Sequence, residues 1–333
     1  MSKINVAILG CGGMAGAHAQ RFKNNKDVKI VACSDVSTEI VEKFIERNLK
    51  DYPHKPEVFT DSKTMYAKAK PDDAVSIITP HTMHFEHGMQ ALEAGCHVLM
   101  EKPMVTEASQ AYALAQMVRK CNKVFVIGYN TPCTPEFSYT REIIQKKSLG
   151  KLELVSGYLA QNWLTVTANS WKQKPELSGG GRAYDSGAHI LNSLCWSVEA
   201  NIVEVFAFID NHGSPVDINS SINIRFDNGV FASIVVGGNC AAGGASMHFI
   251  FEKGRIDIDG WGGGWIKVFH NEREIKYPPI TGEAQSPNDN FIDAILGRAE
   301  PRTSPSNGIV QSELMDAIYE SGRTGKPARP KKN

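Results

Sequence analysis

Residues 4–15 read INVAILGCGGMA, an apolar run that ends in a cluster of glycines. The glycines fit the pattern G-x-G-x-x-[GA]: Gly10 permits a tight turn, Gly12 lets the backbone approach a pyrophosphate, and the small Ala15 lets a helix pack on the sheet. The stretch therefore predicts a strand, a dinucleotide-binding turn and a helix whose N-terminus faces an anion. The residues expected to contact the dinucleotide in this turn are Gly10, Gly12, Gly13, Met14 and Ala15.

An acidic residue follows at the distance expected for ribose recognition. Asp35 lies 20 residues beyond Ala15, at the end of the next apolar run. A carboxylate there can accept a hydrogen bond from a ribose 2′-hydroxyl and repels a 2′-phosphate, so NAD is favoured over NADP as the cofactor. The alternative is that Asp35 is a solvated turn residue or the N-cap of the following helix.

The surrounding chain alternates short apolar strands with longer helical segments. Strands that are apolar throughout need both faces covered, which predicts an α/β fold with a Rossmann-type, doubly wound parallel sheet over residues 1–128. The predicted strands are 5–9, 29–34, 74–78, 97–100 and 124–127, and the predicted helices are 15–23, 38–47, 85–94 and 108–120.

Beyond residue 128 strand follows strand, with hairpin signals such as Asp227-Asn228-Gly229. This pattern predicts an α+β domain over 129–325 with a large, mostly antiparallel open sheet, followed by a mobile tail over 326–333. The predicted strands are 152–158, 203–209, 220–226, 230–236, 245–251, 255–258 and 266–269. The predicted helices are 135–147, 182–196, 290–296 and 310–321.

The composition of the 333 residues excludes several classes of protein. Lys plus Arg and Asp plus Glu both number 36, so no net positive field would hold nucleic acid or anionic lipid. No apolar run approaches the ~18 residues that cross a bilayer, and the N-terminal residues lack the features of a signal peptide. The seven cysteines are scattered and never spaced C-x-x-C, which predicts reduced thiols in a cytoplasmic protein.

Two polar clusters follow the predicted strands 74–78 and 97–100, at the carboxyl rim where open α/β sheets bind ligands. Lys102 lies between an apolar strand and a proline, from which an ammonium can reach a reacting oxygen. No carboxylate near the histidines has metal-ligand spacing, so no metal site is predicted, and helix capping or cofactor contact is the favoured role of these histidines. The rim residues expected to contact the cofactor are Thr79, Pro80, His81, His84, Glu101 and Lys102.

In the second domain, a run of three glycines precedes Asp185 and His189, which are four apart and are expected to share one face of the helix 182–196. An acid beside an imidazole fixes its tautomer and raises its basicity. The alternative is a buried Asp and His bonded only to each other and to backbone. Flanking aromatic residues can stack on a sugar face or serve as packing: Tyr129, Trp163, Trp171 and Tyr184.

Taken together, these motifs resemble the Gfo/Idh/MocA oxidoreductase family, named for glucose-fructose oxidoreductase and inositol dehydrogenase. The motifs that carry the resemblance are Gly10-x-Gly12-x-x-Ala15-Gly16-x-His18, Thr79-Pro80-x-x-x-His84, Glu101-Lys102-Pro103, Gly128-Tyr129-Asn130 and Asp185-x-Gly187-x-His189. The resemblance implies oxidation of a sugar or polyol hydroxyl with NAD(P), with Lys102, Asp185 and His189 as the catalytic group. It also implies a homodimer or homotetramer formed through the C-terminal sheet.

The chain departs from the family pattern in the expected substrate pocket. Thr131-Pro132-Cys133 stands where the family often has an Arg, and Asn192 stands where it often has an acid. Asn130, Trp163, Trp171, Tyr184 and Asn192 are the residues expected to contact the substrate.

Several alternatives remain open at this stage. His189, oriented by Asp185, takes the hydroxyl proton while Lys102 stabilises the alkoxide, or the lysine shares or performs the proton transfer. A redox-neutral NAD-dependent glycosidase and a non-catalytic dinucleotide-binding regulator are the alternative functions. The turn Trp261-Gly-Gly-Gly-Trp265 belongs to a subunit interface or is a flexible loop.

Overall fold

The computed structural model describes residues 3–68 and 74–332. The described part leaves out residues 1, 2, 69–73 and 333. Predictions for the two domains and the tail that concern these residues lie outside the described part. The chain divides into two compact units. The first comprises residues 1–128 and 285–308, and the second comprises residues 129–284 and 309–333.

The first unit contains the predicted parallel sheet, in the strand order β3-β2-β1-β4-β5-β6. All of its neighbouring strands run parallel, which confirms the doubly wound arrangement. Each predicted strand and helix is present with ends within two residues of the prediction. The strands are β1 Ile4–Leu9, β2 Val28–Ser34, β3 Glu57–Phe59, β4 Ala74–Ile77, β5 His97–Met100 and β6 Phe125–Ile127. The helices are α1 Gly13–Asn24, α2 Thr38–Asn48, α3 Ser62–Lys68, α4 His84–Glu93 and α5 Ala108–Cys121.

Two elements of this unit, β3 and α3, were not predicted. β3 is a three-residue edge strand with an exposed first residue, and α3 has seven residues. Segments this short carry too few apolar positions to show a period of 2 or 3.6 residues.

The sequence predicted one boundary between the domains, at residue 128. The structure has further boundaries, because the chain returns to the first unit. Residues 285–308 belong to the first unit, although the sequence suggested that all of 129–325 forms the second domain. The cause is helix α10, Pro287–Ile295, which buries Phe291 and Ile292 in the same core cluster as Val6 and Ile30. Burial of side chains of this size contributes about 1.5–3 kcal/mol each.

The second unit contains a sheet in the order β14-β13-β12-β11-β7-β10-β9-β8. Its strands are β7 Leu152–Ala160, β8 Ile202–Asp210, β9 Asn219–Phe226, β10 Phe231–Gly237, β11 Gly244–Phe251, β12 Gly254–Ile258, β13 Ile266–His270 and β14 Arg273–Ile275. The β7–β10 pair is parallel and the other neighbours are antiparallel, which confirms the predicted mostly antiparallel sheet. The predicted turn at Asp227–Gly229 joins β9 to β10.

Helices cover one face of this sheet and form the core of the unit with it. They are α6 Pro135–Lys146, α9 Gly187–Val198 and α11 Pro305–Thr324, the last of which begins in the first unit. The short helices α7 Trp163–Val166 and α8 Pro175–Ser178 lie outside this core cluster, and Trp163 packs with Val216 and Ile218. Helix α9 begins five residues later than the predicted start at residue 182, because the preceding residues form turns.

The predicted mobile tail is wrong for the described residues up to 332. Ala328 is buried and pairs in both directions with the backbone of Val205, and Lys331 lies 2.9 Å from the Glu320 carboxylate. The edge strand β8 therefore satisfies both backbone hydrogen-bonding groups of Ala328. Within residues 3–68 and 74–332, every helix is too short or too polar to cross a bilayer.

Candidate functional site

The glycine turn between β1 and α1 has the geometry of a phosphate cradle. Gly10 has φ +94°, and a Cβ atom there would lie 2.6 Å from the carbonyl oxygen of Ile78, so only glycine fits. A Cβ atom at Gly12 or Gly13 would meet no atom within 4 Å, which leaves the turn open on the side of the helix N-terminus. Ala15 is fully buried against the sheet, as predicted. These features fit a dinucleotide pyrophosphate.

Asp35 ties this turn to the end of β2. Its Oδ2 accepts a hydrogen bond from the backbone N–H of Cys11 at 2.7 Å, and its Oδ1 accepts one from Val36 at 2.7 Å. The N-cap of α2 is Ser37, so Asp35 is not the helix cap. The carboxylate is thus held beside the glycine turn, where it can meet a ribose hydroxyl.

The rim of the parallel sheet after β4 and β5 is held together by histidines. The ring of His84 is fully buried, and its nitrogens lie 2.7 Å from the Pro103 carbonyl oxygen and 2.8 Å from that of Thr79. Burial lowers the pKa of His84, although both carbonyls act in the opposite direction. The Thr79 hydroxyl lies 2.9 Å from Nδ1 of His87, so both strand ends are fixed to α4.

Other predicted cofactor residues occupy the same rim. Pro80 and His81 begin a short 3₁₀ turn before α4, and the His81 ring lies 5.9 Å from that of His84. Glu101 is buried, whereas Lys102, which follows it, is partly exposed. Met14 is about half exposed at the start of α1.

In the second unit, Asp185 lies in the turns before α9 and not on the helix face predicted from its spacing to His189. Its side chain is buried, and Oδ2 accepts hydrogen bonds from the indole Nε1 of Trp163 and from Nζ of Lys172, both at 2.7 Å. Lys172 was missed in the sequence, since one lysine in a loop carries no spacing signal. The result is a buried carboxylate fixed by two donors from separate segments.

A second cation lies near this carboxylate. Arg182 is completely buried, and its Nε donates to the Gly237 carbonyl oxygen at 3.2 Å. Burial lowers the pKa of Arg182 to about 10, while Asp185 and Asp217 act to raise it. The guanidinium therefore stays charged at neutral pH.

His189 lies near the start of α9, between two aromatic rings. Its ring centroid is 4.8 Å from that of Trp261 and 5.9 Å from that of Tyr129, the latter edge to face. Trp261 belongs to the glycine-rich turn whose role the sequence left open. The Asp259 carboxylate accepts hydrogen bonds from the backbone N–H groups of Trp261, Gly262 and Gly264. These bonds hold the turn in one conformation beside His189.

The segment Thr131–Cys133 stands where the family often has an Arg, and it holds helix α9 in place. The Thr131 hydroxyl lies 2.6 Å from that of Ser193, and Ser193 donates to the His189 carbonyl oxygen at 2.8 Å. Thr131 is fully buried, so this position fixes the helix that carries His189. One turn along that helix, Asn192 is buried and its Oδ1 has no hydrogen-bond partner among the described residues. Such an atom needs a ligand or a water.

Tyr184, predicted to stack on substrate, instead belongs to the core of the second unit. Its ring is buried and stacks on Tyr319 at a centroid distance of 5.6 Å. The Tyr319 hydroxyl donates to Asp217, which also accepts the backbone N–H groups of Gly181 and Ala183. The glycine run is therefore needed for this packing, because a Cβ at Gly181 would collide with the Asp217 backbone.

The remaining predicted substrate residues have different surroundings. Trp163 is buried and donates to Asp185, whereas Trp171 is half-buried, with Nζ of Lys172 at 5.9 Å from its ring centroid. Asn130 is half-buried at the start of the 3₁₀ turn Thr131–Cys133. Lys102 belongs to the first unit, and Asp185 and His189 belong to the second. Within the described ranges, no group of three or more His, Cys, Asp or Glu side chains could hold a metal ion.

Comparison with protein families identifies both units. The family model GFO_IDH_MocA, described as an oxidoreductase family with an NAD-binding Rossmann fold, matches residues 4–129, and the GFO/IDH/MocA C-terminal domain model matches residues 137–257. The chain belongs to the GFO_IDH_MocA oxidoreductase family. As a member of that family, it carries an NAD(P)-binding Rossmann domain at its N-terminus.

Several proteins similar to this chain are named as dehydrogenases. The chain is 30% identical to D-glucoside 3-dehydrogenase of Escherichia coli K12 over 59% of this chain and 54% of that protein. It is 24% identical to levoglucosan dehydrogenase of Pseudarthrobacter phenanthrenivorans over 68% of this chain and 63% of that protein. The chain thus spans little more than half the length of these relatives.

The fold also matches solved structures over almost the full chain. One is the WlbA dehydrogenase of Bordetella pertussis in complex with NADH and UDP-GlcNAcA, with a TM-score of 0.85 at 20% identity, covering 99% of this chain and 100% of that one.

Proposed function

We propose that this protein is an NAD-dependent dehydrogenase that oxidises a secondary hydroxyl on a sugar, glycoside or polyol ring. The observation that carries the proposal is the buried Asp185 carboxylate, fixed by Trp163 and Lys172 four residues before His189. The names of the relatives support a carbohydrate substrate, since they include a glucoside and a levoglucosan dehydrogenase.

The roles of the three catalytic residues follow from their chemistry. His189 accepts the proton of the substrate hydroxyl, and Asp185 favours the resulting imidazolium. Lys102 supplies an ammonium that stabilises the developing alkoxide. When bound, the nicotinamide supplies the hydride acceptor.

Both polar and aromatic residues are proposed to contact the substrate. Asn192 offers a buried amide oxygen that lacks a partner among the described residues, and a sugar hydroxyl can donate to it. Trp171 and Asn130 are partly exposed and remain proposed contacts. The Trp261 ring can pack on the apolar face of a sugar ring. Trp163 acts through Asp185.

The cofactor is proposed to be NAD bound by the first unit. Asp35 supports this choice because a fixed carboxylate repels the 2′-phosphate of NADP. The glycine turn holds the pyrophosphate, and the rim supplies further contacts. The proposed cofactor residues are Gly10, Gly12, Gly13, Met14, Ala15, Asp35, Thr79, Pro80, His81, His84, Glu101 and Lys102.

A homodimer or homotetramer is proposed through the outer face of the second sheet. Phe231 pairs with Leu154 and Val235 pairs with Tyr158 across the parallel strands, so these side chains share one face. Phe208 lies on the same face, and all five are about half exposed or more. A contiguous apolar surface of this kind is typical of subunit interfaces.

A cytoplasmic location is also proposed. The seven cysteines, all within the described residues, are free thiols in the structure, which suits a reducing compartment.

The test of this function is a panel of polyols, sugars, glycosides and sugar acids scored by NADH absorbance, with NAD and with NADP. We expect net NADH with at least one ring substrate, and a large loss of turnover in Lys102→Ala and His189→Ala. Near-normal turnover in either variant removes that residue from the mechanism. Release of aglycone from a glycoside without net NADH identifies the glycosidase instead. Failure of every substrate, with no exchange of labelled NADH, favours the regulator.

A further inference from the structure

Residues from three separate sequence motifs meet in one buried cluster of the first unit. His18 on α1 is fully buried, and its Nε2 lies 2.9 Å from Oε1 of Glu101 at the end of β5. Its other nitrogen, Nδ1, lies 3.1 Å from the Asn288 amide nitrogen and 3.5 Å from the Ser76 hydroxyl. The residue that follows Glu101 in the chain is Lys102.

The hydrogen bonds of the cluster run in one direction. Arg21 donates from Nη1 to the amide oxygen of Asn288 at 3.3 Å, which assigns the amide nitrogen of Asn288 to His18. Nδ1 of His18 is then an acceptor, and Nε2 donates its N–H to Glu101. A chain of donors thus leads from Arg21 to the Glu101 carboxylate.

The second oxygen of Glu101 faces the lysine. Oε2 accepts the backbone N–H of Lys102 at 3.2 Å, and the backbone N–H of Glu101 donates to the Ile77 carbonyl oxygen at 2.9 Å. Glu101 is buried, so its carboxylate depends on donors from the protein to compensate for lost water. His18 and the Lys102 peptide are two such donors.

Gly128 provides the room that this carboxylate occupies. A Cβ atom at residue 128 would lie 2.8 Å from Oε1 of Glu101. The backbone N–H of Gly128 donates to the Met100 carbonyl oxygen at 2.7 Å, so residue 128 cannot move away without breaking the pairing at the end of β5. A side chain at residue 128 would therefore have to displace the Glu101 carboxylate from its hydrogen-bond partners.

We propose that His18 and Glu101 are positioning residues that set the backbone from which Lys102 reaches the substrate. This inference rests on the proposed function, in which Lys102 acts on the substrate hydroxyl. Because His18 is on α1, whose N-terminus forms the nucleotide cradle, one helix fixes both the place of the dinucleotide and the place of the lysine. Hydride transfer depends on this mutual alignment.

Two variants of His18 separate positioning from simple filling of the core. In His18→Gln, the amide nitrogen takes the place of Nε2 and still donates to Glu101. In His18→Asn, the amide oxygen takes the place of Nδ1, so the contact with Asn288 remains and the donor to Glu101 is lost. Both variants bury one primary amide, so a merely structural role predicts similar effects.

We expect His18→Asn to lower kcat about 10- to 100-fold, with the KM of the sugar and the dissociation constant of NADH within about 2-fold of wild type. His18→Gln is expected to stay within about 5-fold of wild-type kcat. Equal losses in the two variants, or a loss in NADH affinity alone, overturn the inference. Thermal unfolding of each variant identifies any that fail to fold.

If His18→Asn does not fold, Gly128→Ala is the second variant. It leaves His18 intact, and Gly128 has no positive φ, so the added Cβ acts on the Glu101 carboxylate. We expect the same loss of kcat with unchanged NADH affinity. Wild-type kcat in a folded Gly128→Ala protein overturns the inference.

Lys102→Ala distinguishes this inference from the proposed function. If Lys102→Ala has near-normal turnover, the proposed role of the lysine fails and the inference fails with it. If Lys102→Ala loses turnover but His18→Asn does not, only the positioning inference fails. If both lose turnover, the double variant is expected to be no slower than Lys102→Ala alone, since the two changes remove the same contribution. Additive losses in the double variant overturn the inference.

Discussion

Nζ of Lys172 lies 2.7 Å from Oδ2 of Asp185, a carboxylate whose side chain is 3% exposed. A charge-assisted hydrogen bond to a buried acid contributes about 1.5–3 kcal/mol. It also fixes the orientation of Asp185, since Trp163 donates to the same oxygen. Lys172 and Trp163 together therefore fix the position of the Asp185 carboxylate.

Lys172→Met is expected to lower kcat/KM about 10- to 100-fold, because Asp185 loses a charged donor in a buried place. Lys172→Arg keeps a cation and is expected to retain most of the activity. Lys174→Met removes the same charge from an exposed position two residues further along and serves as the control. Equal activity in Lys172→Met and Lys174→Met contradicts the prediction.

Asp35 is predicted to set the cofactor preference. Asp35→Asn keeps an oxygen that can accept the Cys11 N–H but removes the charge that repels a 2′-phosphate. We expect the ratio of kcat/KM for NAD to that for NADP to fall about 10- to 100-fold. Asp51→Asn, at an exposed carboxylate of the same unit, is the control. A ratio unchanged by Asp35→Asn excludes Asp35 from cofactor selection.

Asn192 is predicted to contact the substrate. Asn192→Leu removes a buried amide oxygen that lacks a partner among the described residues, so the free energy of unfolding should be unchanged or higher. The KM of the sugar should rise about 10-fold, since the substrate loses an acceptor. Ser197 lies on the same helix, and its buried hydroxyl oxygen also lacks a partner among the described residues. Ser197→Ala removes this oxygen and should leave the KM of the sugar unchanged. A purely structural Asn192 would show lower stability and an unaltered KM.

The buried His84 is predicted to make stability depend on pH. Burial lowers its pKa in the folded protein below the ordinary value of 6.5, so the unfolded chain binds more protons as the pH falls through that value. The free energy of unfolding should therefore decrease on acidification, by at most ~1.4 kcal/mol per pH unit for one proton. Urea unfolding at about pH 5.5 and about pH 7.5 measures the decrease.

His84→Gln provides the comparison for that measurement. The variant should show a smaller difference between the two pH values than wild type. Some dependence should persist, because burial also lowers the pKa of His87. An identical pH dependence in the variant would show that His84 does not titrate in this range.

The outer face of the second sheet is predicted to form the subunit interface. By light scattering, the protein should have a solution mass of about two or four times 36.5 kDa. Phe208→Glu combined with Phe231→Glu places charges on this face and should give a monomer. Tyr277→Glu changes an exposed aromatic residue that lies outside the strands of the sheet and should keep the wild-type mass. A monomeric wild-type protein is incompatible with the proposed interface.

Much of the first unit could be predicted because its signals are local. The turn at Gly10, the apolar strands and the helices between them lie within a few residues of one another, and their periods are visible along the chain. The position of Asp35 at the end of β2 follows from the same reasoning. Residues 285–308 could not be assigned in this way, because only three-dimensional packing shows that Phe291 belongs with Val6.

The sequence by itself determined the doubly wound sheet, the mostly antiparallel second sheet and the set of motifs that identify the family, since each depends on periodicity and short spacings. Only the tertiary structure decided which side chains meet. It buried Tyr184 against Tyr319, placed Trp261 beside His189, and joined Lys172 to Asp185 and His18 to Glu101. These contacts connect residues far apart in the chain, and spacing carries no information about which distant surfaces come together when two elements pack.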